Sequence, residues 1–320
     1  MRKPIVVVGS INLDLVVSTN HIPQVGETVP GHSFNTFHGG KGANQAVAVA
    51  RLGYPVALVG NVGSDDFGKQ LHRELKNSGV DTTYVNAVEG ASGVALITTA
   101  VHGENNIVVV PGANAHLTPA LLEKAAILEQ AAFLLTQLEI PLETVEYLAE
   151  FANQRDIPLM LDPAPARELS GKLLRKVSWI TPNETETRHL LSNDIEDGDQ
   201  GYRMAAERLL DCGAKNVLLK LGSLGCLVAQ GNLATQMLPA FCVNAVDSTA
   251  AGDAFNAGFA VGLVRGFSVE QSAILASAVA AISVTRPGAQ PSMPTFAEVQ
   301  VFLQERLGAE APSFAVEKSG

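Results

Sequence analysis

Short runs that are apolar throughout and rich in Val, Ile and Leu alternate along this chain with longer stretches whose apolar residues recur every three to four positions. The first kind reads as strands buried on both faces, the second as helices covering such a sheet. Strands are expected at 5–8, 56–59, 132–138, 159–161, 179–181, 217–220 and 226–229. Helices are expected at 43–52, 66–78, 119–130, 142–154, 268–285 and 295–305, with two more between 181 and 217 and another opening near 250. Gly53 and Gly79 supply stops for the first two. Repeated strand–helix units make an α/β fold: a central, mostly parallel sheet flanked by helices on both faces, with ligands at the carboxyl ends of its strands. Two segments, about 12–40 and 90–110, break the alternation. In the second, 93–99 and 107–110 read as strands joined by the polar turn from His102 to Asn106. Both are expected to form a small β-sheet lid inserted in a single domain of residues 1–310, and 311–320, without periodicity, to be a flexible tail.

Composition narrows the function. With 320 residues, 47% of them hydrophobic, the chain can bury a large core. Its net charge of −10 and the lack of a basic run argue against nucleic acid as a partner. Cys212, Cys226 and Cys242 are odd in number and lack C-x-x-C spacing, so they read as small buried residues of a reducing compartment. Arg2 and Lys3 before an apolar run superficially suggest a signal peptide, but Asn12 and Asp14 interrupt the run too soon. No stretch approaches a membrane span, and a cytoplasmic location is expected.

The chemistry centres on Asp247-Ser248-Thr249-Ala250-Ala251-Gly252-Asp253, where polar turn residues pass into a small-residue helix. Backbone N–H groups there have no helical partner and attract anions. A carboxylate among them combines a base for a hydroxyl with donors for a phosphate, which suggests phosphoryl transfer to an alcohol. An isolated Gly-Asp pair is usually only a helix cap. After the first strand, Gly9 is followed by Asn12 and Asp14 where a dinucleotide turn needs further glycines, which argues against a nicotinamide enzyme. Asn12 and Asp14 point the same way on an extended chain, either to a pair of sugar hydroxyls or simply to water. In Gly39-Gly40-Lys41-Gly42-Ala43-Asn44-Gln45 the glycines allow close approach of a ligand, Lys41 can meet an oxygen, and Asn44 can donate and accept. Gly63 to Gln70 nearly matches a Walker A spacing, but Gln70 stands where Ser or Thr would hold magnesium. Glu139 ends a strand, Asp162-Pro163 reads as a structural turn, and Asn183 with Glu186 fits a capping box.

As ordered runs, the His38–Gly53 and Asp247–Phe255 strings closely resemble the two signatures of the PfkB, or ribokinase-like, family of sugar kinases, with Ser248 and Ala254 where Thr is common. The resemblance extends from Gly9 to about Leu307. It implies in-line transfer of the γ-phosphoryl group of ATP to O5 of D-ribose, or alternatively to 2-deoxyribose, another sugar or a nucleoside; a non-catalytic sugar sensor is a remote alternative. Asp253 would be the base, and amides of Ala250, Ala251, Gly252 and Asp253 would hold the developing charge. Asn12, Asp14, Gly40, Lys41, Gly42, Asn44 and Glu139 would bind the sugar. Asn183 and Glu186 match the family's N-x-x-E motif for magnesium and the nucleotide phosphates, Glu186 acting through water. Lys220, Gly222, Ser223 and Gly225 would contact ATP, and Ser277 would border the adenine. Asp247, Thr249, Ser283, Arg286, Gly288 and Ser292 resemble the family's potassium site, a set of oxygens suited to a hard cation. Pro287 stands where Lys often precedes the glycine. Members of the family pair their lids, which implies a homodimer.

Overall fold

The computed structural model describes residues 2–101, 104–192, 195–196, 198–231 and 233–308. The expected tail at 311–320, and His102 and Gly103 of the expected turn, lie outside the described residues. Strand β1 (Ile5–Val8) opens the central sheet, and the chain leaves it at once for β2 (Asn12–Thr19) and β3 (Gly31–Gly39). It returns through α1 (Lys41–Arg51), β4 (Val56–Gly63), α2 (Asp66–Asn77) and β5 (Asp81–Val88). A second excursion makes β6 (Gly93–Ala100) and β7 (Asn105–Val110). Then follow α3 (Pro119–Glu123), β8 (Phe133–Thr136), α4 (Leu142–Gln154), β9 (Leu159–Leu161), α5 (Gly171–Leu174), β10 (Trp179–Ile180), α6 (Glu184–Leu190) and α7 (Asp199–Asp211). The last third holds β11 (Asn216–Lys220), β12 (Cys226–Gln230), β13 (Gln236–Leu238), α8 (Ala251–Val264), α9 (Val269–Ser283) and α10 (Phe296–Leu307).

The large sheet has the order β13-β12-β11-β10-β9-β8-β1-β4-β5, parallel from β11 to β5 and antiparallel at its β12–β13 edge. From β1 the chain builds outward through β4 and β5 on one side and later through β8, β9, β10 and β11 on the other. The order therefore reverses between β1 and β8, and a crevice opens at their carboxyl ends. The small sheet has the order β3-β2-β6-β7, with β2 and β6 parallel and the outer pairs antiparallel.

One face of the large sheet is covered by α1, α8 and α9, the other by α3 and α4. On the first face Trp179 meets Phe259 edge to face, ring centroids 4.8 Å apart. Burying a side chain such as Phe259 contributes about 1.5–3 kcal/mol. Small residues set how closely these helices approach. A Cβ on Gly42 would lie 2.6 Å from the carbonyl carbon of Gly9, so α1 can press its first turn against the end of β1 only with glycine there. Gly40, just before it, has φ 88°, a conformation that L side chains rarely adopt.

Three expectations are corrected. The helix at 119–130 is α3 followed by a separate 3₁₀ turn at Ala126–Gln130. Buried Leu122, Ala125, Leu128 and Ala131 recur every third residue, which is 3₁₀ and not α spacing. The strand at 132–138 stops at Thr136, so Glu139 lies in the following loop. Of the cysteines only Cys226 is buried; Cys212 and Cys242 are exposed.

Candidate active site

The crevice is centred on Asp253, 4% exposed in the first turn of α8. Each of its carboxylate oxygens accepts from an amide on α1: Oδ2 from Asn44 Nδ2 at 3.0 Å, and Oδ1 from Gln45 Nε2 at 3.1 Å. Gln45 Nε2 also donates to Asp162 Oδ2 at 3.2 Å, and Lys220 Nζ donates to Asp162 Oδ1 at 2.9 Å. Burial, then the nearby Asp162, pushes Asp253 up to about 6 against the pull of Lys41 and its two amide donors. Such a value suits a base working near neutral pH. Ahead of it Ala250 holds a left-handed backbone, φ 59° and ψ 15°, unusual for alanine. The Ala251 N–H is taken by the Ser248 carbonyl, and Ala254 is the first residue to reach back to Ala250. The N–H groups of Gly252 and Asp253 thus have no intrahelical acceptor.

At the β1–β8 crevice Ser10 Oγ donates to Glu139 Oε2, and the Lys41 N–H donates to the same oxygen at 3.2 Å. Asp14 is pushed up to about 7 by burial, then by Glu139 and Asp253. Burial works against the Lys41 ammonium, but Asp253, Asp162, Glu139 and Glu186 outweigh it and hold it charged. Asn114 fixes the remaining member: its Nδ2 donates to Asn12 Oδ1 at 2.8 Å and to the Ile11 carbonyl, and its Oδ1 accepts from the Ile11 N–H. Asn12 Oδ1 being thus engaged, its Nδ2 is the group left for a hydroxyl.

Beyond Asp253 a cavity of about 670 Å³ extends along α8, within the range of small-ligand sites. Its polar end carries Lys41, Asp162, Glu186, Lys220 and Gly252; its apolar end carries Phe241, Val243, Ala280, Ala281 and Val284. Asn183, Gly222, Ser223, Gly225 and Ser277 also line it. Asn183 and Glu186 form the capping box, with the Asn183 N–H donating to Glu186 Oε2 and the Glu186 N–H to Asn183 Oδ1, both at 2.8 Å. Burial raises Glu186 against the opposing charge of Lys220.

Next to the start of α8, the Asp247 carboxylate draws two turns together, accepting from the N–H groups of Thr249 and Gly288, each at 2.8 Å. The Thr249 side chain also bonds Asp247, but three others expected there are engaged elsewhere. Ser283 Oγ bonds the Ala280 carbonyl, Ser292 Oγ the Ala289 carbonyl, and Arg286 pairs with Glu298. Arg286 has only its main-chain oxygen to offer an ion, and the main-chain oxygens of Ser283 and Ser292 are also available.

Several residues of the site escaped the sequence reading. Asp162 is no mere turn residue: it lines the cavity and pairs with Lys220. Its place one residue past β9 is the signal that could have found it, since strand ends carry ligand groups. Gln45 lay inside a run already singled out. Ser10, Asn114 and Gln290 carried no mark of their own roles, since their partners Glu139, Asn12 and Asn44 lie 129, 102 and 246 positions away.

A buried carboxylate at a helix start thus stands beside a cavity of about 670 Å³ at the strand ends of an α/β sheet. The model of the pfkB family carbohydrate kinases matches residues 2–296, and the chain belongs to that family. Its fold is ribokinase-like: it superposes on a ribokinase from Arabidopsis thaliana, solved with ribose and ATP, with a TM-score of 0.88 at 34% identity, covering 94% of this chain and 99% of that one. It is 42% identical over 306 residues to a ribokinase of Haemophilus influenzae, 95% of this chain and 99% of that protein. To a deoxyribokinase of Salmonella typhi it is 39% identical over 302 residues, 93% of this chain and 98% of the other.

Proposed function

We propose that this protein phosphorylates D-ribose at O5 with ATP, giving D-ribose 5-phosphate and ADP. The observation that carries the reading is Asp253, held by Asn44 and Gln45 on the wall of the cavity that Lys41 also lines, with Asp14 and Glu139 near enough for their charges to interact. In this mechanism the sugar lies against Asn12, Asp14, Gly40, Lys41, Gly42, Asn44 and Glu139. Fixing its hydroxyls turns binding energy into orientation. Asp253 accepts the proton of the primary hydroxyl as that oxygen attacks the γ-phosphorus and the bond to the ADP oxygen breaks. The free N–H groups of Gly252 and Asp253 and the Lys41 ammonium face the charge that develops. Lys220 is tied to Asp162 beside Gly252 and steadies the nucleotide phosphates, with Gly222, Ser223 and Gly225 along the nucleotide and Ser277 toward its base.

Two ions fit the donor set. Magnesium keeps most of its waters and needs one or two carboxylates besides phosphate, which Glu186 and Asp162 supply at the polar end of the cavity; bound there it would neutralise phosphate charge. Potassium would be held at the turns joined by Asp247 and Gly288, through main-chain oxygens of Thr249, Ser283, Arg286, Gly288 and Ser292. The small sheet would act as a lid that excludes water from the sugar, and its outer face would join a second copy in a homodimer. Three free thiols accord with action in the cytoplasm.

A 2-deoxyribose kinase is the second reading, favoured by the likeness to the Salmonella typhi protein. Asn12 weighs for ribose, because an amide donor with no hydroxyl to meet would cost about 1–3 kcal/mol. The test is ADP release with ATP and magnesium against D-ribose, 2-deoxyribose, fructose and adenosine, each with and without potassium. Preference for D-ribose, stimulated by potassium, supports the assignment; preference for another acceptor overturns the substrate, and inactivity toward all four, with sugar still bound, favours a sensor.

A further inference from the structure

Both amides that hold Asp253 are themselves oriented by a second amide. Gln137 Nε2 donates to Gln45 Oε1 at 2.7 Å, and Gln290 Nε2 donates to Asn44 Oδ1 at 3.3 Å. A carboxylate only accepts, so Asn44 serves Asp253 only with Nδ2 toward it and Oδ1 away. A donor placed at Oδ1 locks that choice. Without one, a half-turn about the last side-chain torsion sets an oxygen against the base.

The two orienting groups come from different parts of the fold. Gln137 follows β8 in the buried sheet, whereas Gln290, itself buried, belongs to the turn at 286–292. That turn is braced on several sides. The Gly288 N–H donates to Asp247, Arg286 to Glu298, and Arg51 to the carbonyls of Pro291 and Met293. Arg51 ends α1 and Asn44 lies in its first turn, so the 286–292 turn is pinned along the length of the helix that carries Asp253's donors.

We propose that Gln290 is a positioning residue for the base: by orienting Asn44 it keeps the Asp253 carboxylate aligned with the sugar hydroxyl, and it ties the 286–292 turn to the chemical step. The proposal rests on the kinase reading above. Gln290→Leu removes the donor, and Gln290→Glu removes it while keeping the shape of the side chain.

One readout needs no turnover. The side-chain amide signals of Asn44 in a 15N spectrum of the full chain, assigned by their loss in Asn44→Ala, are expected to move in both Gln290 variants. Unmoved signals in both would overturn the proposal. In steady-state kinetics kcat is expected to fall about 10-fold, the worth of one well-placed hydrogen bond, with the KM for ATP within about twofold of wild type. In the Asn44→Ala background Gln290→Leu should cost nothing further, since it acts through Asn44. Full additivity of the two losses, or wild-type kcat in Gln290→Glu, refutes it. If the unaltered protein phosphorylates no acceptor the kinase reading fails, while the Asn44 spectrum still decides the Gln290–Asn44 link.

Discussion

The two sheets differ most in what they leave uncovered. Every residue of β1, β4 and β8 is buried, whereas every residue of β7 and the first six of β3 are exposed. Register assigns the faces of the small sheet. Asp14 pairs with Ala95 and Phe37, and Ala95 with Val109, on one face; Leu15 pairs with Leu96, and Leu96 with Val108, on the other. Leu96, Val108 and Val110 are about half exposed on that outer face, at 47%, 54% and 48%. The large sheet is finished within one chain; the small one has apolar surface on both sides still to be covered. In the proposed mechanism the large sheet would align the reacting groups and the small one, as a lid, would admit substrate.

Breaking the half built on the large sheet should have the largest effect. Asp253→Asn is expected to lower turnover about 10²–10⁴-fold with sugar binding kept, read from ADP release and from calorimetric titration with ribose. Near-normal turnover would remove Asp253 from the role of base. On the small sheet, Leu96→Asp with Val108→Asp should convert the proposed dimer to monomer, measured by light scattering after gel filtration, with little change in core stability. A wild-type protein that is monomeric at micromolar concentration would refute lid pairing.

Smaller effects sharpen the contrast through stability. The folded value of Asp14, about 7, lies above its ordinary 3.8. Stability from this group is therefore full below about 3.8 and is lost as pH rises through 7. Asp14→Asn should raise the Tm at pH 8, by at most a few kcal/mol in stability, with the gain vanishing near pH 4. It should also raise the KM for sugar more than that for ATP. An equal Tm gain at both pH values would show that charge is not the cause. The least effect is expected from Ala250→Gly, which relieves a left-handed backbone by about 1 kcal/mol or less, checked by urea unfolding.

Much of this was legible in the order of residues. The buried strands at Ile5–Val8 and Leu159–Leu161 and the helix at Leu142–Gln154 lie within the expected bounds, because continuous apolar runs and a clear helical period leave one reading. Strand β13 was not anticipated: Gln236–Leu238 is too short to show a period and takes its shape from pairing with β12. In the site, residues inside motif strings, Asn44 and Asp253 among them, do come together. What sequence reading lacked was the second layer: Asp162, Gln45, Asn114 and Gln290 act through partners distant in the chain, and an amide or carboxylate carries no local mark of the group it will meet.

Trp179, the one tryptophan in the chain, packs on Phe259, which lies six residues along α8 from Asp253. Its indole is therefore a native optical reporter seated under the helix that carries Asp253. Any shift of α8 as substrates arrive would alter its emission, so the working motions of this protein can be followed by intrinsic fluorescence, without a label.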